Sequence, residues 1–260
     1  MSFYQLGKRM LKYMGLLTPA SHIKHSWKPF WLQVRYRALL LSRSKGAYMR
    51  FFDDKYNNLL KGGLKVFDCD VDRYKSYRLM FGELLRQRQR GFTIIETGCA
   101  FGSGWCHGRS SFLFMEFLNI FGGKLISIDI NQQHVDACAR IIETIRPQTG
   151  RACYAPRVGD SLSILQSLPD KADLVYLDSW DLEREDPEPS MRHHLAELHA
   201  AKDIFKRSKD LIVAVDDNLK PLGIGKGKYI KEWALATHQD ILMDNYQLVL
   251  RIAADKMDGI

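Results

Sequence analysis

Phe92-Thr93-Ile94-Ile95-Glu96-Thr97-Gly98-Cys99-Ala100-Phe101-Gly102-Ser103-Gly104 joins a short apolar run to a glycine-rich turn, and a helical pattern follows. Glycine has no Cβ and tolerates positive φ, so such a turn lets backbone approach a ligand closely. The spacing is G-x-x-x-G-x-G, which differs from the G-x-G-x-x-G of dinucleotide sites. Glu96 stands two residues before the first glycine, where it would repel a pyrophosphate but not a ligand with a cationic centre. Both features, with the closing hairpin described below, oppose an NAD-dependent oxidoreductase. Taken alone, the turn is also compatible with a strand–helix junction that binds nothing.

Working outward, the same strand–helix rhythm recurs. Further β-rich runs are 124–130 (KLISIDI), 153–158 (CYAPRV), 173–178 (DLVYLD) and 210–216 (DLIVAVD). Helical patterns fill about 103–120, 132–146, 161–168, 190–207 and 226–237. Five such alternations imply a parallel sheet covered on both faces. Residues 239–253 break the rhythm and read as two strands joined by a tight Asp244-Asn245 turn, which makes one strand antiparallel. The first ninety residues read as a helical extension. Its helices are expected over 3–17, Pro29–Ser42 and Tyr74–Gln89, and the division is placed as 1–73 and 74–260.

Composition narrows the classes. The chain has 260 residues, of which 46% are hydrophobic, enough to bury a core without staples. No run of eighteen apolar residues and no signal-peptide pattern occurs. The five cysteines are odd in number and none form C-x-x-C, which suits a reducing compartment and gives no zinc signal. The expected location is cytoplasmic. The net charge of +8 comes from the start of the chain: residues 1–50 hold ten Lys and Arg and no acid, leaving 28 basic against 30 acidic residues. That segment is a solvated helical face, an arm for an anionic membrane surface (Trp27, Phe30 and Trp31 suit the interface), or a nucleic-acid contact. The last is disfavoured because no RNA-binding module is apparent. A homo-oligomer is left open.

Two acids stand where an open α/β sheet binds ligands, beyond the carboxyl ends of strands. Asp129 could accept both hydroxyls of a ribose, or cap the next helix with Asn131. Asp160 could accept an adenine amino group beside Ser161, or act as a plain cap. With the glycine turn and the hairpin, these features resemble the class I S-adenosylmethionine-dependent methyltransferases over residues of about 75–255. The resemblance implies an α/β, doubly wound Rossmann-like sheet of order 3-2-1-4-5-7-6 with strand 7 antiparallel. It implies S-adenosylmethionine as cofactor, with Glu96, Gly98, Gly102 and Gly104 at its methionine end, Asp129 at the ribose, and Asp160 and Ser161 at the adenine.

Two adjacent strand ends carry further acids: Asp178-Ser179-Trp180-Asp181 and Asp216-Asp217-Asn218. Asp178, Asp217 and Asn218 could converge three oxygens on Mg²⁺ or another hard divalent cation. This arrangement resembles the metal-dependent O-methyltransferases of the catechol and sugar or macrolide types. Position 181 departs from that pattern, because the catechol enzymes have lysine there and this chain has Asp181. Either Asp181 is the general base or the base comes from elsewhere, with His193 and His194 as alternatives. Trp180 is a substrate-pocket wall or core. The glycine-rich loop Lys220–Tyr229 is a lid or a linker. The expected activity is metal-assisted O-methylation of a sugar or natural-product hydroxyl, a small-molecule or glycan acceptor. Catechol-like phenols, an RNA substrate, or a non-catalytic S-adenosylmethionine-binding role are the alternatives. The absence of a (D/N)-P-P-(Y/F) motif after strand four disfavours RNA.

Overall fold

The computed structural model describes residues 28–61, 65–67, 69–99, 109–145, 150–208 and 210–253. The expected helix over 3–17, Trp27, and the turn glycines Gly102 and Gly104 lie outside the described residues. Two compact units divide between Ser42 and Arg43. The described part of the first is one helix, α1 (Lys28–Ser42), in which the Phe30 and Trp31 rings meet edge to face at 5.8 Å. Among the described residues no helix is long and apolar enough to cross a membrane.

The second unit is built on strands β1 (Phe92–Thr97), β2 (Gly123–Asp129), β3 (Ala152–Tyr154), β4 (Leu174–Leu177), β5 (Asp210–Val215), β6 (Asp240–Asp244) and β7 (Leu248–Ala253). They pair in the order 3-2-1-4-5-7-6, and β7 runs antiparallel to both β5 and β6. This is the strand order expected from the sequence. The run expected over 153–158 is interrupted. Pro156 has no N–H to give the ladder, so β3 ends at Tyr154 and Arg157–Val158 pairs separately with β2. The final hairpin closes through Asn245–Gln247 rather than a two-residue turn, with the Asn245 amide donating to the Gln247 carbonyl at 3.2 Å.

The helices are α2 (Lys45–Tyr56), α3 (Tyr74–Gln87), α4 (Ser110–Phe121), α5 (Gln132–Glu143), α6 (Ser161–Ser167), α7 (Glu188–Ala200), α8 (Lys202–Arg207) and α9 (Lys228–Ala236). Residues 190–207 had read as one helix, but the backbone turns at Ala201 (ψ 2°) and separates α7 from α8. Strand side chains alternate between faces. Ile95, Ile126, Val175 and Val213 point into an aliphatic layer with Leu165, Leu198, Phe205 and Ile230 of α6–α9. The opposite face is aromatic. Tyr176 of β4 meets Phe114 of α4 at 5.3 Å, and Phe81 of α3 stacks on Phe117 at 4.8 Å.

Helix α2 belongs to this aromatic layer. Its Tyr48, Phe51, Phe52 and Tyr56 are all buried, at the i, i+3, i+4, i+8 spacing of one helix face. Ser44 caps the helix by accepting from the Ala47 amide at 3.3 Å. The Phe52 ring lies 5.0–6.2 Å from those of Tyr48, Tyr56, Tyr74 and Phe81. Residues from Arg43 onward are thus part of the sheet unit. Phe52→Ala is expected to lower unfolding free energy by about 3–5 kcal/mol. Denaturant titration checks this, and a loss under about 1 kcal/mol would mean that α2 is not integral to the core.

Candidate active site

The sheet register sets the site. Thr97, Leu177 and Val215 lie abreast across β1, β4 and β5. The chain therefore leaves the sheet at Gly98, Asp178 and Asp216 on one line. Connections from β1 run toward β2 and β3, and those from β4 run the other way. The gap between them is the topological switch point, where such sheets bind ligands. A cavity of about 350 Å³ opens there, lined by Arg73, Gly98, Cys99, Ser110, Asp129, Ile130, Asn131, His134, Asp178, Ser179, Asp181, Asp217 and Lys226.

Gly98 has φ +73°, and a Cβ on it would stand 2.2 Å from the Asp178 carbonyl oxygen, so only glycine lets the two strand ends close. The Gly98 amide donates to the Ile128 carbonyl at 2.8 Å. Asp129 faces the cavity from the end of β2. One of its oxygens accepts the Cys99 amide at 3.2 Å and the other the Asn131 amide at 2.8 Å. His134 Nδ1 lies 3.5 Å from the latter oxygen.

Glu96 had been expected at the methionine end, but it does not line the cavity. Strand alternation turns it under α4, fully buried, where the Ser111 and Ser127 hydroxyls donate to it. Burial, with Cys138 nearby, pushes its carboxyl up to about 8, so it is held neutral near pH 7. Asp160 and Ser161 also stand outside the cavity lining. Asp160 is the N-cap of α6, accepting from the Ser163 amide at 2.9 Å and the Ser163 hydroxyl at 2.7 Å. Ser161 Oγ lies 3.3 Å from His193 Nε2.

The strand-four and strand-five acids converge, but on a lysine. The Lys226 ammonium is 2.5 Å from Asp178 Oδ1 and 3.2 Å from Asp217 Oδ2, with 1% of its side chain exposed. Two glycines bring it there. A Cβ on Gly225 would stand 2.5 Å from the Asn218 backbone, and one on Gly227 would stand 2.8 Å from Asn218 Oδ1. The loop thus packs directly on Asn218, and the Lys226 amide donates to the Asp217 carbonyl at 3.2 Å. Asp217 itself has φ +45°, a left-handed conformation that aspartate tolerates better than most residues. The loop is anchored on both sides of its exposed residues 220–223, by the buried Leu219 before them and the buried Gly225, Lys226 and Gly227 after them.

Arg73, just ahead of α3, balances the neighbouring acids. Its Nε donates to both Asp216 oxygens at 3.0 Å, and a terminal nitrogen lies 3.4 Å from Asp217. Its guanidinium sits 4.8 Å from the Tyr246 ring centre, and the Tyr246 hydroxyl donates to Asp217. Burial opposes charge on Asp217, but Lys226 and Arg73 outweigh it and hold the carboxyl below its usual range. Burial lifts Asp178 to about 8 against the pull of Lys226, and Asp216 and Asp217 add to the rise. Burial alone would lower the Lys226 ammonium, yet Asp178, Asp217 and Asp216 raise it, so it stays charged.

The expected metal set does not fit this arrangement. Asn218 does not line the cavity, and its amide nitrogen donates to Asp244 Oδ1 at 2.9 Å and to the Asn245 carbonyl at 3.0 Å. The remaining pair, Asp178 and Asp217, is bridged by an ammonium. Among the described residues no group of three His, Cys, Asp or Glu is placed to hold a metal ion.

Of the candidate bases, Asp181 lines the cavity and is exposed. His193 stands one residue behind the wall, its Nε2 3.0 Å from the Ser179 hydroxyl and 3.5 Å from Glu197. Trp180 is half exposed rather than core, 5.1 Å from the His193 ring. His194 is removed from the site. It is fully buried, with Nδ1 2.7 Å from the Ser190 carbonyl oxygen and Nε2 without a hydrogen-bond partner among the described residues. The sequence reading missed Lys226 and Arg73. The signal for Lys226 was its position between two glycines in a loop already singled out.

Neither a family model nor a curated protein matches the chain. Solved structures similar to it include the SAH-bound Podospora anserina methyltransferase PaMTH1, at 10% identity and TM-score 0.47 over 90% of this chain and 97% of that one. A methyltransferase from Geobacter sulfurreducens matches at 13% identity and TM-score 0.45, over 94% of each chain. A ribosomal protein L11 methylase from Lactobacillus delbrueckii subsp. bulgaricus matches at 14% and 0.40, over 73% of this chain and 89% of that one.

The burial of His194 has a consequence for pH. Desolvation lowers its pKa from 6.5 to about 4, against the opposing pull of Glu197. The unfolded chain therefore binds the proton more readily than the folded one between those values. Its contribution is fully present above pH 6.5 and is lost as pH falls toward 4, by on the order of 3 kcal/mol. Urea titrations from pH 7 to 4 are expected to show this loss, and His194→Leu is expected to flatten the slope. Parallel slopes for the two proteins would refute it.

Proposed function

We propose that this protein is an S-adenosylmethionine-dependent methyltransferase that methylates a hydroxyl of a small-molecule or glycan acceptor, of the sugar or natural-product class. One observation carries the reading: at the switch point, the Gly98 turn and the Asp129 carboxylate share one cavity with Asp178, Asp181 and Lys226. The side-chain-free turn suits close contact with an adenosyl-methionine ligand, and Asp129 offers acceptors for a ribose diol.

When bound, the cofactor supplies an already activated sulfonium methyl. The chain's own residues then have three tasks. Asp129 and the Gly98–Cys99 backbone fix the donor, so that orientation supplies much of the rate. The Lys226 ammonium draws the acceptor oxygen toward the strand ends. The cavity carboxylate Asp181 accepts the hydroxyl proton as the oxygen–methyl bond forms and the sulfur–methyl bond breaks. The scheme uses no divalent ion, because the Lys226 ammonium already bridges Asp178 and Asp217. Oxygen as the acceptor atom is supported by the D-S-W-D strand end, which lacks the amino-directed pattern.

Calorimetric titration with S-adenosylhomocysteine tests the reading. Binding is expected for the native protein and not with NAD. Asp129→Ala is expected to weaken it about 10–100-fold, since a hydrogen bond to a charged group is worth about 1.5–3 kcal/mol. Absence of S-adenosylhomocysteine binding, or unchanged affinity in Asp129→Ala, would overturn it. Transfer of labelled methyl to a hydroxyl-acceptor panel then identifies the substrate.

A further inference from the structure

We propose that the Lys226 ammonium fills the place of a divalent cation at this site, so that the centre works without metal and the lysine itself confronts the acceptor oxygen. The proposal deepens the methyl-transfer reading and rests on it only for what the ammonium faces. The cation replacement stands on geometry alone.

Three observations carry it. First, Asp178 and Asp217, the two carboxylates at adjacent strand ends, both contact Nζ of Lys226, at 2.5 and 3.2 Å. A divalent ion coordinated by both would have to displace the ammonium or sit against it, with Arg73 3.4 Å from Asp217 on the far side. Like charges so close, in a site with little water, oppose one another. Second, the position is built rather than incidental. Gly225 and Gly227 flank Lys226 where any side chain would strike Asn218, and the Lys226 amide is tied to the Asp217 carbonyl. The loop can adopt this path only with a residue between two glycines, and that residue is a buried lysine at the cavity wall. Third, the expected third ligand, Asn218, is absent from the residues lining the cavity, and its side-chain NH2 is tied to Asp244 and the Asn245 carbonyl.

The two carboxylates take two of the three ammonium N–H bonds. In the proposed arrangement a further ammonium N–H meets the acceptor oxygen, where it lowers the cost of negative charge developing on a hydroxyl oxygen. An ammonium does this as a compact point charge on a flexible stem. It thus combines the positioning of a metal with the positive charge missing from position 181, where the resemblance expects lysine and this chain has Asp181.

The test is a Mn²⁺ titration of the full chain, followed by the electron paramagnetic resonance signal of free Mn²⁺. The native protein is expected to show no saturable site tighter than millimolar, and Lys226→Met to gain one at least tenfold tighter. A stoichiometric micromolar site in the native protein would overturn the proposal. So would a Lys226→Met protein that melts cooperatively yet binds Mn²⁺ no better than the native one. If that variant does not fold, the native titration decides alone, together with turnover after EDTA dialysis. Unchanged turnover supports the proposal, and a loss restored by Mg²⁺ overturns it. S-adenosylhomocysteine titration of the same samples separates the two ideas. Its failure removes the cofactor reading, while the Mn²⁺ result still reports on Lys226.

Discussion

Three aspartates are forced into one neighbourhood by the register of the sheet. With Leu177 level with Val215, the residues that follow are Asp178 on one side and Asp216 and Asp217 on the other. Carboxylates this close and this desolvated cannot all stay ionised without cations. Arg73 answers Asp216, and Lys226 answers the other two. Much of the surrounding architecture serves to deliver those two cations. One arrives from the residue that precedes α3, the other from a loop held by glycines. The antiparallel β7 brings Tyr246 and Gln247 to the same edge, where the Gln247 side-chain amide donates to Asp216 at 3.0 Å and to the Tyr176 hydroxyl at 2.7 Å.

Such a cluster is a poor way to gain stability. Removing ions from water costs several kcal/mol each, and pairing often does no more than offset that. The left-handed backbone at Asp217 adds roughly 1–3 kcal/mol of strain. Residues held at such cost mark function more often than scaffold. The scaffold lies in the aromatic layer around Phe52, Phe81 and Phe117 and in the aliphatic layer beneath α6–α9.

The strand rhythm was legible because period-two apolar runs bounded by glycine and aspartate are a local signal. Run 92–97 matches β1 residue for residue. The Asp178 and Asp217 positions were legible for the same reason, as ends of readable strands. What the sequence hid were relations across distance. Nothing near Arg73 or Lys226 says that each will find an aspartate 48 to 143 positions away along the chain. Helix α2 was missed because its four aromatic residues look like ordinary composition until the helical spacing is tested. Glu96 misled by adjacency: it stands two positions before Gly98, the first cavity-lining residue of this strand, yet its side chain lies buried against Ser111 and Ser127.

The charge balance at the edge bears directly on the proposed reaction. A sulfonium donor is positive, and its thioether product is not. A cavity holding only Asp129, Asp178, Asp181 and Asp217 would favour the donor before transfer and resist loss of its charge. Catalysis gains from interactions that strengthen on the way to the transition state, not from those strongest in the ground state. Lys226 and Arg73 reduce that excess, and the burial of Glu96 as a neutral acid removes a further negative charge from beside the donor. On this view the lysine between the aspartates does two things at once: it draws in the acceptor oxygen, and it keeps the site from holding the donor too well to let its methyl go.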